Sequence, residues 1–471
     1  MDFFFWNKHF NQGAYQYGTR VALENSCQLD LVIHSFLNLI PKNIDSDKKQ
    51  SAVHFTRNRK LPFQKLITFI LSIVASGKSS GVDIKSGLFF KSARRSGLWP
   101  DADAIHRSAL TKARGKVPWT VFRDLLHKSV ELAYSLWPKT PVFLWRGMSV
   151  FACDGSKFDL PATELLRKEF DPHSGLQFEG RGHFPQCLVT TVVDVFRRLV
   201  VARSVVSIHD SERQQAKALL PHIPRGAVLL FDRGYPGYEL IAYLREHYEG
   251  FFVFRCPAQS TFPAVEAFVA SDKPQDYILI TPSNNYLQGL SPRQRKKAKV
   301  IQLRVIRLES PDGTVSVLLT NLLNNRQFPT PDIINLYFRR WEVENHYRNE
   351  KVTLEIETFH SKTPDGIRQE LFAAAVMSVI ARTLMVITGE VFGSADEEYQ
   401  FKNAIMTLAS DAAVLSADDP QKAVEIFSEV LKSISRVKHH RPKSPRPSQP
   451  RVTKKPASKW CANKRKKLDA A

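Results

Sequence analysis

Apolar and polar positions alternate with two different periods along the chain. Up to about residue 140 the spacing is helical. LPFQKLITFILSIVASG (61–77) has a helical apolar period and stops at a glycine, which predicts a helix and its end. DADAIHRSALTKARGKVPWTVFRDLLHKSVELAYSLW (101–137) predicts two helices joined by ARGKVP, with Pro118 near the first turn of the second. From about 141 the runs become short and β-branched. GMSVFACDG is an apolar run ending in Asp154-Gly155, and QCLVTTVVDVF with RLVVARSVVSI predicts an antiparallel pair. SERQQAKALLPHI predicts a helix capped at Asp210 or Ser211. GAVLLFDRGYPG reads as a buried strand ending in Asp232, YELIAYLREHYEG as a helix and FFVFRC as a strand. The predicted order is strand, strand, strand, helix, strand, helix, strand.

Residues 257–330 break that alternation. QDYILITP, KVIQLRVIRLES and TVSVLLTNLL are strand-like, and SPRQRKKAK (291–299) reads as a dense basic loop among them. LFAAAVMSVIARTLMVITGEVFG (371–393) reads as a buried helix broken near Gly389, and Arg382 in mid-run favours a core helix over a membrane span. From Arg436 the chain is rich in Pro, Ser, Lys and Arg and poor in apolar residues, which predicts a disordered tail.

YFRRWEVENHYRNEK (337–351) has an unusual pattern. On one continuous helix Tyr337, Arg340, Glu344, Arg348 and Lys351 fall within an arc of roughly 80°. Ile334, Phe338, Trp341 and Val352 form an apolar stripe on one side of the arc, and Leu336, Val343, Tyr347 and Leu354 form another on the other side. Arg339, Glu342, His346 and Glu350 are left as the solvated face. A carboxylate among three cations in a sheltered groove suits a metal ion and a polyanion.

Composition narrows the partner. The chain has 471 residues, enough for two to four domains, and 67 Lys plus Arg against 46 Asp plus Glu give a net charge of +21. That balance favours nucleic acid over a membrane surface. Besides the tail, Arg107, Lys112, Arg114 and Lys116 cluster at the turn between the two predicted helices, which is compatible with a helical DNA-reading module and also with a solvated helix pair. Arg293, Arg295, Lys296 and Lys297 give the basic loop a use in phosphate contact. The five cysteines are scattered without a CxxC, which argues against disulfides and structural zinc and fits a reducing cytosol. MDFFFWNKHF does not read as a signal peptide.

Three acids stand where chemistry is placed in α/β sheets. Asp154 and Asp232 end predicted strands, and sites form at the carboxyl ends of strands. With Glu344 from the 337–351 helix they supply the hard oxygen ligands that Mg²⁺ prefers, and a two-metal site of this kind clamps the attacking and leaving oxygens of a phosphodiester. Each aspartate alone reads equally well as a turn or a local ion pair. Asp159, Asp171, Asp194, Glu355 and Glu357 read as structural or surface groups, and His173, His183 and His209 show no ligand spacing.

These residues resemble a known family. Tyr337, Arg340, Glu344 and Lys351 match the signature Tyr, two residues, Arg, three residues, Glu, six residues, Lys of DDE transposases of the insertion sequence 4 family. DGSKFDL (154–160) and FDRGY (231–235) resemble the segments around that family's two aspartates. The resemblance implies a ribonuclease H-like mixed α/β sheet core with a β-rich insertion, beside an all-α N-terminal DNA-binding region and the disordered basic tail. It implies Asp154, Asp232 and Glu344 as ligands of two Mg²⁺ or Mn²⁺ ions, and Tyr337, Arg340 and Lys351, joined by Arg348, as contacts to DNA phosphates. It further implies a homodimer on double-stranded inverted-repeat ends and target DNA. In some relatives a Trp of the insertion stacks on a flipped base; the comparable strand here, TVSVLLTNL, has no Trp.

The resulting expectation is a cut-and-paste transposase, prokaryotic, cytoplasmic and nucleoid-associated. The expected segments are an end-binding region (1–140), a core in two parts (141–256 and 331–395), the insertion (257–330), C-terminal helices (396–435) and the tail (436–471). A nuclease of the same fold without strand transfer and a non-enzymatic DNA-binding relative are the alternatives.

Overall fold

The computed structural model describes residues 26–44, 55, 61–77, 81–172, 184–310, 313–393 and 399–439. The N-terminal region is helical as expected, with α1 (Ser26–Leu37), α2 (Phe63–Ala75), α3 (Val82–Arg95), α4 (Arg107–Arg114) and α5 (Thr120–Leu136). The core follows as β1 (Val150–Asp159), α6 (Glu164–Phe170), β2 (Gln186–Asp194), β3 (Leu199–Ser207), α7 (Glu212–Leu219), β4 (Val228–Phe231), α8 (Tyr238–His247) and β5 (Phe251–Pro257). The insertion carries α9 (Pro263–Ala270), β6 (Gln275–Ile280), α10 (Asn284–Gln288), α11 (Pro292–Lys297), β7 (Ile301–Glu309) and β8 (Val315–Thr320). Then come α12 (Thr330–Phe338), α13 (Trp341–Arg348), α14 (Pro364–Phe392), α15 (Phe401–Ser410) and α16 (Pro420–Ser435).

All eight strands form one sheet in the order β3-β2-β1-β4-β5-β8-β7-β6. β1, β2 and β3 are antiparallel neighbours, while β4 and β5 run parallel to β1, giving the ribonuclease H-like arrangement. The insertion strands extend this same sheet, because β8 pairs antiparallel with β5 and then with β7. β4, VLLF, is buried along its whole length, as a central parallel strand covered on both faces must be.

α14 is the hub of the helical layer. It packs on α2, α5, α15, α16 and β3, so helices from both ends of the chain share one core with the sheet. It is long and apolar enough to span a bilayer, with mean hydropathy 2.0, yet 89% of that stretch is buried in protein. Thr363 caps its first turn, and the backbone N–H of Gly366 donates to the threonine hydroxyl. Buried Arg304 of β7 ties the insertion to the start of α12. It donates to the Phe328 carbonyl at 2.6 Å and to the Thr330 hydroxyl at 2.7 Å.

Four expectations are corrected. β1 does not stop at Asp154 but runs on to Asp159, held by β2 alone past that point. The 337–351 stretch is not one helix: the backbone turns at Arg339 and Arg340 between α12 and α13, then widens into a π-type turn over Asn349–Thr353. The basic loop carries the short helix α11. α14 continues through Gly389 to Phe392 without a break. The tail from 440 onward lies outside the described residues.

Candidate active site

Strand register places the two aspartates together. β1 and β4 are paired in parallel from Val150 beside Val228 to Cys153 beside Phe231. Asp154, within β1, and Asp232, just past the end of β4, therefore stand side by side. Asp232 follows its strand at once and accepts a hydrogen bond from the Gly234 backbone N–H at 2.8 Å, which folds the chain back around the carboxylate.

Helix α13 brings the third acid. It packs on β1 and β2 through buried Val343 and Tyr347. The Tyr347 hydroxyl lies 2.8 Å from the carbonyl oxygens of both Asp154 and Val189, so α13 is anchored at the residue that carries the first carboxylate. Arg340 bridges the acids: one guanidinium nitrogen is 2.6 Å from Glu344 Oε1 and the other 3.8 Å from Asp154 Oδ2. Burial pushes the Asp154 carboxyl up to about 7; Arg340 opposes this, and the charges of Asp232 and Glu344 add to it. All three acids thus share one electrostatic neighbourhood.

The remaining signature residues are placed as follows. Tyr337 is buried and its hydroxyl makes no hydrogen bond of good geometry, as is true of Arg340 Nε. Burial pushes the Tyr337 hydroxyl up to about 12. Lys351 Nζ donates to the Lys157 carbonyl, sits 3.5 Å from Glu357 and lies 4.4 Å from the Phe158 ring centroid. Arg348 is exposed and bonded to Asn345 at 2.8 Å.

Among the outlying cations, Arg107 and Lys112 are exposed and Lys116 is half-buried. Arg114 departs from the expectation of a DNA contact. Its guanidinium is buried and donates to Gln369, Glu370 and the Gly366 carbonyl, each at 3.0 Å, because the α4 C-terminus packs against α14. Arg293 and Arg295 are exposed, and Arg295 bonds the Leu290 carbonyl at 3.0 Å; the side chains of Lys296 and Lys297 lie outside the described ones.

His346 and Glu350 correct the reading of a solvated face. Both are buried under the site with Arg203 of β3, which donates to His346 Nε2 at 2.8 Å and to Glu350 Oε2 at 2.9 Å. The signal was in the sequence. Arg203 interrupts the run VVARSVV, and a cation inside a buried strand requires a buried counter-charge. Glu350 also falls only roughly 20° from Val343 on a helical projection. Glu212 at the start of α7 is the other residue missed: it lies against Gly155, beside the first aspartate.

Fold and site together define a mixed α/β core in which Asp154 of β1, Asp232 after β4 and Glu344 of α13 share one electrostatic neighbourhood. The Transposase DDE domain family matches residues 145–380, half of the chain, and the chain belongs to that family. The chain is 23% identical over 369 residues to the transposase InsG for insertion sequence element IS4 of Escherichia coli (strain K12), covering 75% of this chain and 76% of that one, in accord with the insertion sequence 4 resemblance. It is 28% identical over 165 residues to the putative transposase y4zB of Sinorhizobium fredii (strain NBRC 101917 / NGR234), covering 34% of this chain and 43% of that one. A cryo-EM structure of the piggyBac transposase synaptic complex with hairpin DNA overlays loosely, with a TM-score of 0.44 at 9% identity over 88% of this chain and 86% of that one. The chain is accordingly a transposase, an enzyme acting on DNA.

The donor set fits a divalent ion. Asp154, Asp232 and Glu344 offer oxygen ligands only, as hard cations require. Among the described residues no three His, Cys, Asp or Glu side chains stand within ion-holding distance of one another. In this arrangement the Arg340 guanidinium supplies the positive charge between Asp154 and Glu344.

Proposed function

We propose that this transposase binds inverted-repeat transposon ends as a homodimer, cleaves them at a two-metal carboxylate site and joins the freed 3′-hydroxyl ends to target DNA. The carrying observation is Arg340, bridging Asp154 and Glu344 beside a second strand end that presents Asp232. Asp154, Asp232 and Glu344 hold Mg²⁺ or Mn²⁺. When bound, such ions acidify the attacking water and neutralise charge at the scissile phosphate. The chain's own residues do the rest. With the carboxylates engaged elsewhere, the Arg340 guanidinium would be released to contact a phosphate. The unpartnered Tyr337 hydroxyl and Arg340 Nε donate to phosphate oxygens, which relieves two buried polar groups that otherwise cost stability. Arg348 and Lys351 continue the cationic track along α13 and the turn after it.

The segments divide the work. Helices α1–α5 read the end sequence through Arg107, Lys112 and Lys116, while Arg293 and Arg295 of the insertion add salt-sensitive affinity that is independent of sequence. The test is incubation of the protein with Mg²⁺, labelled transposon ends and a target plasmid. Cleaved ends covalently joined to plasmid are expected. Cleavage without joining would reduce the protein to a nuclease of the same fold. Binding of the ends without cleavage would make it a DNA-binding relative. Asp154→Ala and Asp232→Ala abolish cleavage and leave end binding largely intact, because binding rests on other residues.

A further inference from the structure

Glu212 is an acidic side chain packed against β1 beside Asp154 that the site above does not use. It is the first residue of α7, which packs on β1, β2 and β3. Its contact with β1 is tight. A Cβ built at Gly155 would stand 2.6 Å from Glu212 Cδ and 2.9 Å from Oε1, closer than a real side chain tolerates. Glycine at 155 thus makes room for a carboxylate next to Asp154.

The neighbouring residue clamps the same helix end to the second aspartate's loop. Arg213 donates to the Gly234 carbonyl at 3.1 Å and to the Pro236 carbonyl at 2.9 Å. The start of α7 is therefore held against both β1 beside Asp154 and the loop after Asp232. Burial raises the Glu212 pKa, and the charge of Asp232 is the next largest cause. A second observation points into the same space. The Tyr235 hydroxyl is fully buried, makes no hydrogen bond of good geometry, and has Cys153, Glu212, Asp154 and Tyr347 as ionisable neighbours. Lys157 offsets the charge of Glu212 only as a minor contribution, and carboxylates gathered this closely are stabilised by a bound positive ion.

We infer that Glu212 is a fourth carboxylate of the divalent-cation site, acting beside Asp232, with Gly155 leaving the space it needs. This rests on the proposed metal-dependent function, and the test separates the two. Manganese binding to the full-length protein without DNA is measured by electron paramagnetic resonance of the free ion, with melting temperature as a folding control. Glu212→Gln is expected to weaken manganese binding tenfold or more at unchanged melting temperature. Gly155→Ala should weaken it as well by displacing Glu212, yet add no further loss in a Glu212→Ala background. Asp232→Asn is the reference. Unchanged affinity in Glu212→Gln with loss in Asp232→Asn overturns the role of Glu212 and leaves the site intact. Unchanged affinity in both overturns the metal site itself.

Discussion

The hydroxyl of Tyr347 stands 2.8 Å from the backbone carbonyl oxygen of Asp154, and that one contact joins the helix bearing the third acid to the strand bearing the first. Side-chain position in a site of this kind has to hold within fractions of an ångström. The second acceptor, Val189, lies on β2, so the same hydroxyl ties α13 to two strands.

Tyr347→Phe removes the donor and keeps the ring. The variant should lose about 1–2 kcal/mol in chemical denaturation, as expected for one buried hydrogen bond. Cleavage should fall about tenfold with end binding unchanged. Loss of end binding in step with cleavage would place Tyr347 in DNA recognition instead of in positioning α13.

In the proposed function Arg340 neutralises the carboxylates until a divalent ion replaces it. Arg340→Gln leaves Asp154 and Glu344 facing each other without their shared counter-charge. Its melting temperature should drop without metal and rise more on addition of Mg²⁺ than that of the parent protein. Equal stabilisation of both proteins by Mg²⁺ would show that guanidinium and ion do not compete. In DNA binding the same variant should lower the salt slope by about 1, the share of one phosphate contact.

Glu350 is held ionised under the site. Burial favours its neutral acid, but Arg203 and then His346 outweigh that and keep its pKa below the ordinary value of 4.5. The unfolded chain therefore takes up this proton first as pH falls. The stabilisation is complete above about 4.5 and is lost as pH drops through the lower, folded-state pKa. Glu350→Gln strands the buried Arg203 cation and should cost about 3–5 kcal/mol at neutral pH. Urea unfolding from pH 7 down to 3 should show a shallower acid limb in the variant.

Arg114 and its exposed neighbours should separate cleanly. Arg114→Ala leaves Glu370 buried without its cation, and a loss of about 3–5 kcal/mol is expected. Arg107→Ala and Lys112→Ala should stay within about 0.5 kcal/mol of the parent and weaken end binding. Thermal melts and gel-shift titrations of the three variants check both halves.

The sequence pattern put the three candidate acids on elements that the fold brings near one another. Asp154 and Asp232 follow apolar runs that can only be buried strands, and Glu344 sits on a helix whose apolar flanks predict shelter. What the projection of 337–351 missed came from treating it as one regular helix. A turn at Arg339 and Arg340 and a π-type turn after Arg348 change which faces meet the sheet. Arg114 was misplaced for a related reason, since a lysine- and arginine-rich turn looks solvated until a distant helix packs over it.

The local pattern by itself determined the elements: strand runs, helical periods, the acids that follow apolar runs and the excess of positive charge. Those follow from contacts between residues near in sequence. Tertiary structure alone decided that the insertion strands join the core sheet, that Arg203 meets Glu350, and that Glu212 reaches Gly155. These are pairings across long stretches of chain, fixed by strand register and by burial of charge against charge, and no periodicity along the sequence encodes them.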